Sequence, residues 1–239
     1  MSAPGLIIAA PASGSGKTTV TLALLRALGS AGTAVGAFKV GPDYIDPMFH
    51  ARASGRPSLN LDSWAMRIET LAGLADALAK DVALVLGEGV MGLFDGAADG
   101  RGSTADLASL LDLPVILVVD AHGMAASAAA LVEGFSRHRD DVEVAGIIFN
   151  RVGSADHGAL LRRACDDRFA QPVLGCLPDD PRLRLPERHL GLVQVDEVPE
   201  FDDLLDRAAG LVAEQVDLER LTRLARPFGL GLYGPPARP

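Results

Sequence analysis

The stretch AAPASGSGKTTVTLALL, residues 9–25, follows the apolar run Leu6-Ile7-Ile8. An apolar run, a glycine loop and a helical pattern make up the setting of a phosphate-binding loop. The pattern G-x-x-x-x-G-K-[ST] is met at Gly16-Lys17-Thr18, while Pro11 stands where its first glycine is expected. The backbone of Gly14, Ser15 and Gly16 can wrap phosphates, aided by the positive end of the helix that follows. Lys17 would reach the β- and γ-phosphates, Thr18 would coordinate Mg²⁺, and Thr19 continues the loop into the helix.

Outward from this unit the alternation repeats. Strand-like runs lie at 5–10, 34–40, 82–86, 115–120, 144–150 and 172–177. Helix-like stretches lie near 17–31, 69–80, 103–112, 124–138, 155–169 and 201–216. Runs such as VILVV and AGIIF do not alternate with polar residues, so they read as strands buried on both faces. The expected fold is α/β: a doubly wound, mostly parallel sheet with helices on both faces. The stretch RPFGLGLYGPPARP, 226–239, is rich in Gly and Pro without periodicity and reads as a linker after a domain spanning 1–225.

The 239 residues are 49% hydrophobic and 22% charged, ordinary for a globular protein with a full core. The net charge of −9 argues against nucleic acid or an anionic membrane as partner, since both reward a basic face. No apolar run is long enough to span a bilayer. Two cysteines, Cys165 and Cys176, lack C-x-x-C spacing and fit a reducing cytoplasm.

Four further segments carry chemistry. FKVGPDYIDP, 38–47, gathers Lys39, Asp43, Tyr44 and Asp46 at a strand's C-terminal end, where ligands bind in open α/β sheets. Its Gly-Pro pair breaks regular structure and predicts a loop. Lysine is scarce: it occurs only at Lys17, Lys39 and Lys80, and two of these fall in the motifs. LGEGVMGLFDG, 86–96, places Glu88 among glycines at a strand end, suited to hold Mg²⁺ directly or through water. FNRVGS, 149–154, offers Asn150, whose amide can pair with a purine edge or close an Asx turn. LPDDPRLRLPERHLGL, 177–192, holds Arg182, Arg184, Arg188 and His189, which can face an anion or simply form a solvated loop.

Together the glycine loop, KVGPDYIDP, EGVMGLFDG, FNRVGS and PERHLGL resemble the cobyrinic or hydrogenobyrinic acid a,c-diamide synthase family, in order over roughly 5–195. The resemblance implies a P-loop NTPase fold similar to dethiobiotin synthetase. It implies that ATP phosphorylates the a and c acetate side chains of a corrin macrocycle and that ammonia displaces the phosphate. On that resemblance, residues Gly14 to Thr19 would hold the triphosphate. Thr18, Glu88 and Asp46 would serve Mg²⁺, and Lys17 and Lys39 would act in phosphoryl transfer. Asn150, Arg188 and the loop after Leu177 would meet the adenine. Asp43, Tyr44 and Asp46 would lie beside the reacting carboxylate, and Asp95 and His189 would help orient substrate or ammonia. Arg52, Arg56, Arg182, Arg184 and Arg188 are candidates to hold the other carboxylates.

Members of that family continue into a glutaminase domain that releases ammonia with a Cys–His–Glu triad. Neither cysteine here lies in a glycine-flanked nucleophile turn. The expectation is therefore a synthetase half, fed with ammonia by a glutaminase domain outside this chain, with a homodimer left open. The alternatives are a related tetrapyrrole amidase, including one acting on nickel sirohydrochlorin, and a ParA-like nucleotide switch. Switch ATPases of that kind carry a second lysine where this chain has Ala12. Metal-free hydrogenobyrinic acid is slightly preferred over cobyrinic acid as substrate.

Overall fold

The computed structural model describes residues 3–166, 171–180 and 200–230. The chain alternates strand and helix from its start: β1 (Pro4–Ala9), α1 (Lys17–Ser30), β2 (Val35–Val40), α2 (Asp46–Ser54), β3 (Ser58–Leu61) and α3 (Ile68–Ala79). It continues with β4 (Leu84–Glu88), α4 (Thr104–Leu110), β5 (Val115–Asp120), α5 (Ser127–Arg137), β6 (Val144–Val152), α6 (Ala155–Asp166) and β7 (Val173–Pro178). Two helices, α7 (Phe201–Gln215) and α8 (Leu218–Leu224), lead to a two-residue strand, β8 (Arg226–Pro227).

Seven strands pair in parallel in the order β3-β2-β4-β1-β5-β6-β7, and β8 runs antiparallel beside the start of β1. Both faces of this sheet are covered, as its unbroken apolar runs require. Ile7 and Ala9 of β1 join one core with Leu71 of α3, Leu107 of α4, Val132 of α5 and Leu161 of α6. Leu6 and Ile8 point the other way, into a core with Leu24 of α1, Phe49 of α2, Leu205 of α7 and Leu221 of α8. The doubly wound α/β fold read from the sequence is thus present. Among the described residues no helix is long and apolar enough to cross a membrane.

Four elements depart from the sequence reading; one of them is α8, since no helix was read beyond 216. Residues 46–54 form α2 rather than a continuing loop. Asp43 accepts hydrogen bonds from the N–H groups of Ile45 and Asp46, both at 2.8 Å, which turns the chain into the helix. Pro47 fits the first turn, where a missing N–H costs nothing. The four residues of β3, SLNL, are too short to announce a strand and owe their conformation to pairing with β2.

The fourth departure lies in the stretch read as linker. Arg226 and Pro227 pair with β1, and Phe228 is buried, with its ring 5.6 Å from that of Phe38. A Cβ on Gly5 would meet Phe228 at 3.0 Å, and one on Gly87 would meet Phe38 at 2.2 Å. The two rings thus occupy space that glycines leave open, and the folded unit continues at least to Phe228. Phe228→Ala is expected to destabilise the fold by roughly 3–5 kcal/mol, the usual cost of emptying a buried phenylalanine site. Urea unfolding checks this, and an unchanged midpoint would return the segment to the status of a linker.

Candidate active site

The site follows from sheet register. Lys39 of β2 and Glu88 of β4 are direct partners across parallel strands. Each lies two residues beyond a side chain of the core under α1 and α2, Ala37 and Leu86, so each points to that same face. An apolar interior cannot hold either charge alone, but together they form an ion pair, with Lys39 Nζ 2.9 Å from Glu88 Oε1. Lys39 also donates to the carbonyl of Gly89 at 3.1 Å and pairs with Asp46 Oδ2 at 2.7 Å.

The glycine loop brings a second set of groups to Glu88. Gly16 takes φ 84° at the start of α1, and a Cβ there would strike the Asn150 amide nitrogen at 2.2 Å. Only glycine serves at this position. Thr18, in the first turn of α1, donates its hydroxyl to Glu88 Oε1 at 2.5 Å, and Lys17 Nζ lies 3.7 Å from the same oxygen. Ser15 donates to the carbonyl of Ala12 at 2.9 Å and closes the loop on itself.

Burial opposes charge on Glu88. Lys39, the hydrogen bond from His50 and then Lys17 outweigh that cost, so the carboxyl is held well below its usual range. Burial likewise works against the Lys39 ammonium, but Glu88 and Asp46 raise its pKa above the ordinary value. Lys17 is pulled down, first by burial and also by Lys39, with Glu88 opposing. The result is a carboxylate fixed in its charged form between two ammonium groups.

Among the described residues no cluster of three His, Cys, Asp or Glu forms a metal cage. Mg²⁺ does not ask for one, because it takes one or two carboxylates alongside phosphate oxygens and water. Thr18 Oγ1 and Glu88 Oε1 are hard oxygen donors in contact at the phosphate loop, a donor set that fits Mg²⁺. Asp46 joins the cluster through Lys39.

The other predicted residues divide. Asn150, at the end of β6, donates its amide N–H to the carbonyl of Ser15 at 3.0 Å, so it braces the glycine loop. It also lines a cavity of about 300 Å³ with Gly14, Thr19, Leu177 and Val212, beside the loop on the phosphate side. Asp43 caps α2 through its Oδ1, and its carbonyl accepts from Asn60 at 2.8 Å. Tyr44 is 88% exposed beyond β2. Asp95 accepts from the N–H of Gly92 at 2.9 Å and shapes the turn after β4. Arg52 pairs with Asp202 of α7 and Arg56 lies in the turn before β3; no described contact joins either to Glu88 or Lys39. Arg182, Arg184, Arg188 and His189 lie outside the described residues.

The sequence reading missed His50. Its Nε2 is 2.6 Å from Glu88 Oε2, and both side chains are fully buried. It stands four residues after Asp46, a spacing that shares one helix face, but that signal exists only once α2 is known to be a helix.

Residues 6–193 match the family described as the CobQ/CobB/MinD/ParA nucleotide binding domain. The chain belongs to this family. Among relatives of this CobQ/CobB/MinD/ParA domain, a hydrogenobyrinate a,c-diamide synthase of Rhizobium meliloti (strain 1021) is 55% identical over 227 residues, 95% of this chain and 53% of the relative. A protein of the same name from Brucella anthropi is 56% identical over 225 residues, 93% of this chain and 51% of the relative. The chain spans about half the length of these curated relatives. Of solved structures, the MinD cell division protein of Aquifex aeolicus superposes with a TM-score of 0.50 at 16% identity, covering 90% of this chain and 98% of that one. Chloroplast FtsY from Physcomitrella patens gives 0.54 at 18% identity, covering 86% of this chain and 66% of that one. These two likenesses speak for the fold, a P-loop sheet, as the family does.

Removing one partner from a buried charge cluster leaves the others uncompensated. Glu88→Gln is therefore expected to cost about 3–5 kcal/mol of stability at neutral pH. The folded pKa of Glu88 lies below its ordinary 4.5, so its ionic contribution is complete above that pH and is lost as pH falls toward the folded value. The gap between the two proteins in urea unfolding should narrow as pH drops below 4.5. Equal midpoints at pH 7 would show that the cluster carries no such linkage.

Proposed function

We propose that this chain is the ATP-dependent synthetase part of an enzyme that amidates the a and c acetate side chains of hydrogenobyrinic acid. What carries the reading is 55% identity, over 95% of the chain, to a protein named hydrogenobyrinate a,c-diamide synthase. The geometry supports the chemistry that such a reaction needs.

A carboxylate resists attack by ammonia until one of its oxygens becomes a leaving group. In the proposed reaction a carboxylate oxygen of the macrocycle attacks the γ-phosphorus of ATP, the bond to the β-phosphate oxygen breaks, and ADP leaves. Ammonia then attacks the acyl carbon, inorganic phosphate departs with the oxygen, and a proton is lost from nitrogen to leave the amide. The protein's part is positioning and charge neutralisation. The loop from Gly14 to Thr19 would hold the triphosphate, and Lys17 would neutralise charge at its β- and γ-phosphates. Lys39, anchored by Glu88 and Asp46, would face the transferring group and the substrate carboxylate. Mg²⁺, when bound at Thr18 and Glu88, would neutralise charge on the same phosphates.

The substrate side is read from exposure. Tyr44, Trp64 and Met91 are 88%, 61% and 43% exposed, and they follow β2, β3 and β4, three adjacent strands that end near Lys39 and Glu88. Such an apolar, partly aromatic surface suits the flat body of a macrocycle, with Asp43 and Asp95 shaping its loops. On the nucleotide side, the cavity beside Asn150 and Leu177 suits a purine.

Ammonia would come from elsewhere. Cys165 is buried on α6, and burial pushes its thiol up to about 11; Cys176 on β7 is raised by the same cause. Neither has the depressed pKa of a nucleophilic thiolate. Ala12, where switch ATPases are expected to carry a second lysine, argues against a ParA-like role.

The test supplies Mg·ATP, ammonium and hydrogenobyrinic acid, with cobyrinic acid in parallel, and reads products by mass spectrometry. The expected outcome is mono- and diamide of hydrogenobyrinic acid with matching ADP, and none with glutamine as sole nitrogen donor. Amidation of cobyrinic acid alone would move the substrate to the cobalt form. ATP-driven dimerisation without any amide would favour the switch.

A further inference from the structure

Glu88 divides its two carboxylate oxygens between two groups of partners. Oε1 takes the Thr18 hydroxyl and the Lys39 ammonium and lies nearest Lys17. Oε2 takes His50 Nε2 at 2.6 Å. An ionised carboxylate only accepts, so Nε2 is the donor. The terminal torsion of a glutamate is broad, and nothing intrinsic to the side chain decides how its plane is turned. Here the plane is held from behind. The His50 ring is itself fully buried, and its Nδ1 lies 3.3 Å from Ser58 Oγ of β3.

The helix that carries His50 serves this cluster twice. Asp46 and His50 are four residues apart on α2, and one meets Lys39 while the other meets Glu88. Phe49 and Ala53 of the same helix enter the apolar core, which fixes its rotation.

We propose that His50 is a positioning residue: it pins Glu88 Oε2 so that Oε1 alone is presented to Thr18 and to the divalent cation of the nucleotide complex. This rests on the reading of Glu88 as a metal-facing carboxylate. The competing account is that His50 merely fills the core with its polar atoms satisfied. The two differ in what a replacement must supply. A core filler needs volume, whereas a positioning residue needs an N–H at the place of Nε2.

Glutamine carries its amide nitrogen at about the reach of Nε2, while asparagine reaches only as far as Nδ1. The experiment prepares His50→Gln, His50→Asn and His50→Leu with Glu88→Gln as control. It measures the Mg²⁺ midpoint for tight ATP binding by displacement of a fluorescent nucleotide, alongside the thermal midpoint of each protein. Loss of an outer-shell partner typically costs 10–100-fold in metal affinity. The Asn and Leu variants should therefore raise the Mg²⁺ midpoint about tenfold or more, and Gln should stay within about threefold of the parent. The Asn and Gln variants secure the test if Leu fails to fold. Equal Mg²⁺ midpoints for Asn and Gln would overturn the proposal, whatever their thermal midpoints. In that event the control locates the failure. A shifted Glu88→Gln leaves the metal reading standing without His50, and an unshifted one removes the metal reading itself.

Discussion

The buried carboxylate of Glu88 is the constraint on which the site depends. Removing a charge from water costs several kcal/mol even after the surroundings relax, and an ion pair in the interior seldom returns more than an apolar pair would. Glu88 is fully buried, yet it is met by Thr18, Lys39, His50 and, at longer range, Lys17. These partners come from three elements other than β4, which carries Glu88: α1 after the glycine loop, β2 and α2. A group so expensive, so completely compensated and drawn from so many elements is better explained by use than by stability. It also makes the geometry of these elements interdependent, since any shift of one would strand a charge.

The register of the sheet makes this possible. Lys39 and Glu88 oppose each other only because β2 and β4 are neighbours and parallel, although α2, β3 and α3 lie between them in the chain. On the opposite face the same two strands carry Phe38 and Gly87, where a ring lies over a missing side chain and Phe228 packs against that ring. Thus one face of two strands is spent on charge and the other on close packing. The second secures the first, because a carboxylate can be held within tenths of an ångström only on strands that cannot slide.

Much of this was legible in the sequence. The strands show as apolar runs, and Lys39 and Glu88 are conspicuous at their ends, while Lys17 stands out in the glycine loop and Asp46 in the loop segment GPDYIDP. What was not legible depended on partners distant in the chain. Gly41-Pro42 signals a loop, and the chain does turn there. Asp43 then closes that turn with its side chain, and α2 begins three residues later, carrying His50 into the cluster. SLNL alternates polar and apolar residues but is only four residues long, and it becomes a strand by pairing with β2. Phe228 is hidden by its Gly- and Pro-rich neighbours; only the gaps above Gly5 and Gly87 explain why one aromatic there is core. Asn150 was read for its amide, and that amide braces the glycine loop by donating to the Ser15 carbonyl.

The site therefore has two ends of different character. At the glycine-loop end Glu88, Lys39, Asp46, His50 and Thr18 are tied to one another through hydrogen bonds and ion pairs from strand and helix, with Glu88 and His50 fully buried. At the other end, Tyr44, Trp64 and Met91 stand exposed on the loops after β2, β3 and β4. Trp64 is nevertheless not adrift: its N–H is held by Asp62 at 2.9 Å, and its stem lies against Gly102, where a Cβ would come within 2.7 Å. Phosphoryl transfer needs fixed charges at a fixed distance, which a buried network supplies. In the proposed reaction a large, flat substrate would need area to lie on, which exposed apolar side chains on braced loops would supply. Lys39 would join the two requirements, since it is anchored in the buried network by Glu88 and Asp46 and stands near the end of β2, ahead of Tyr44.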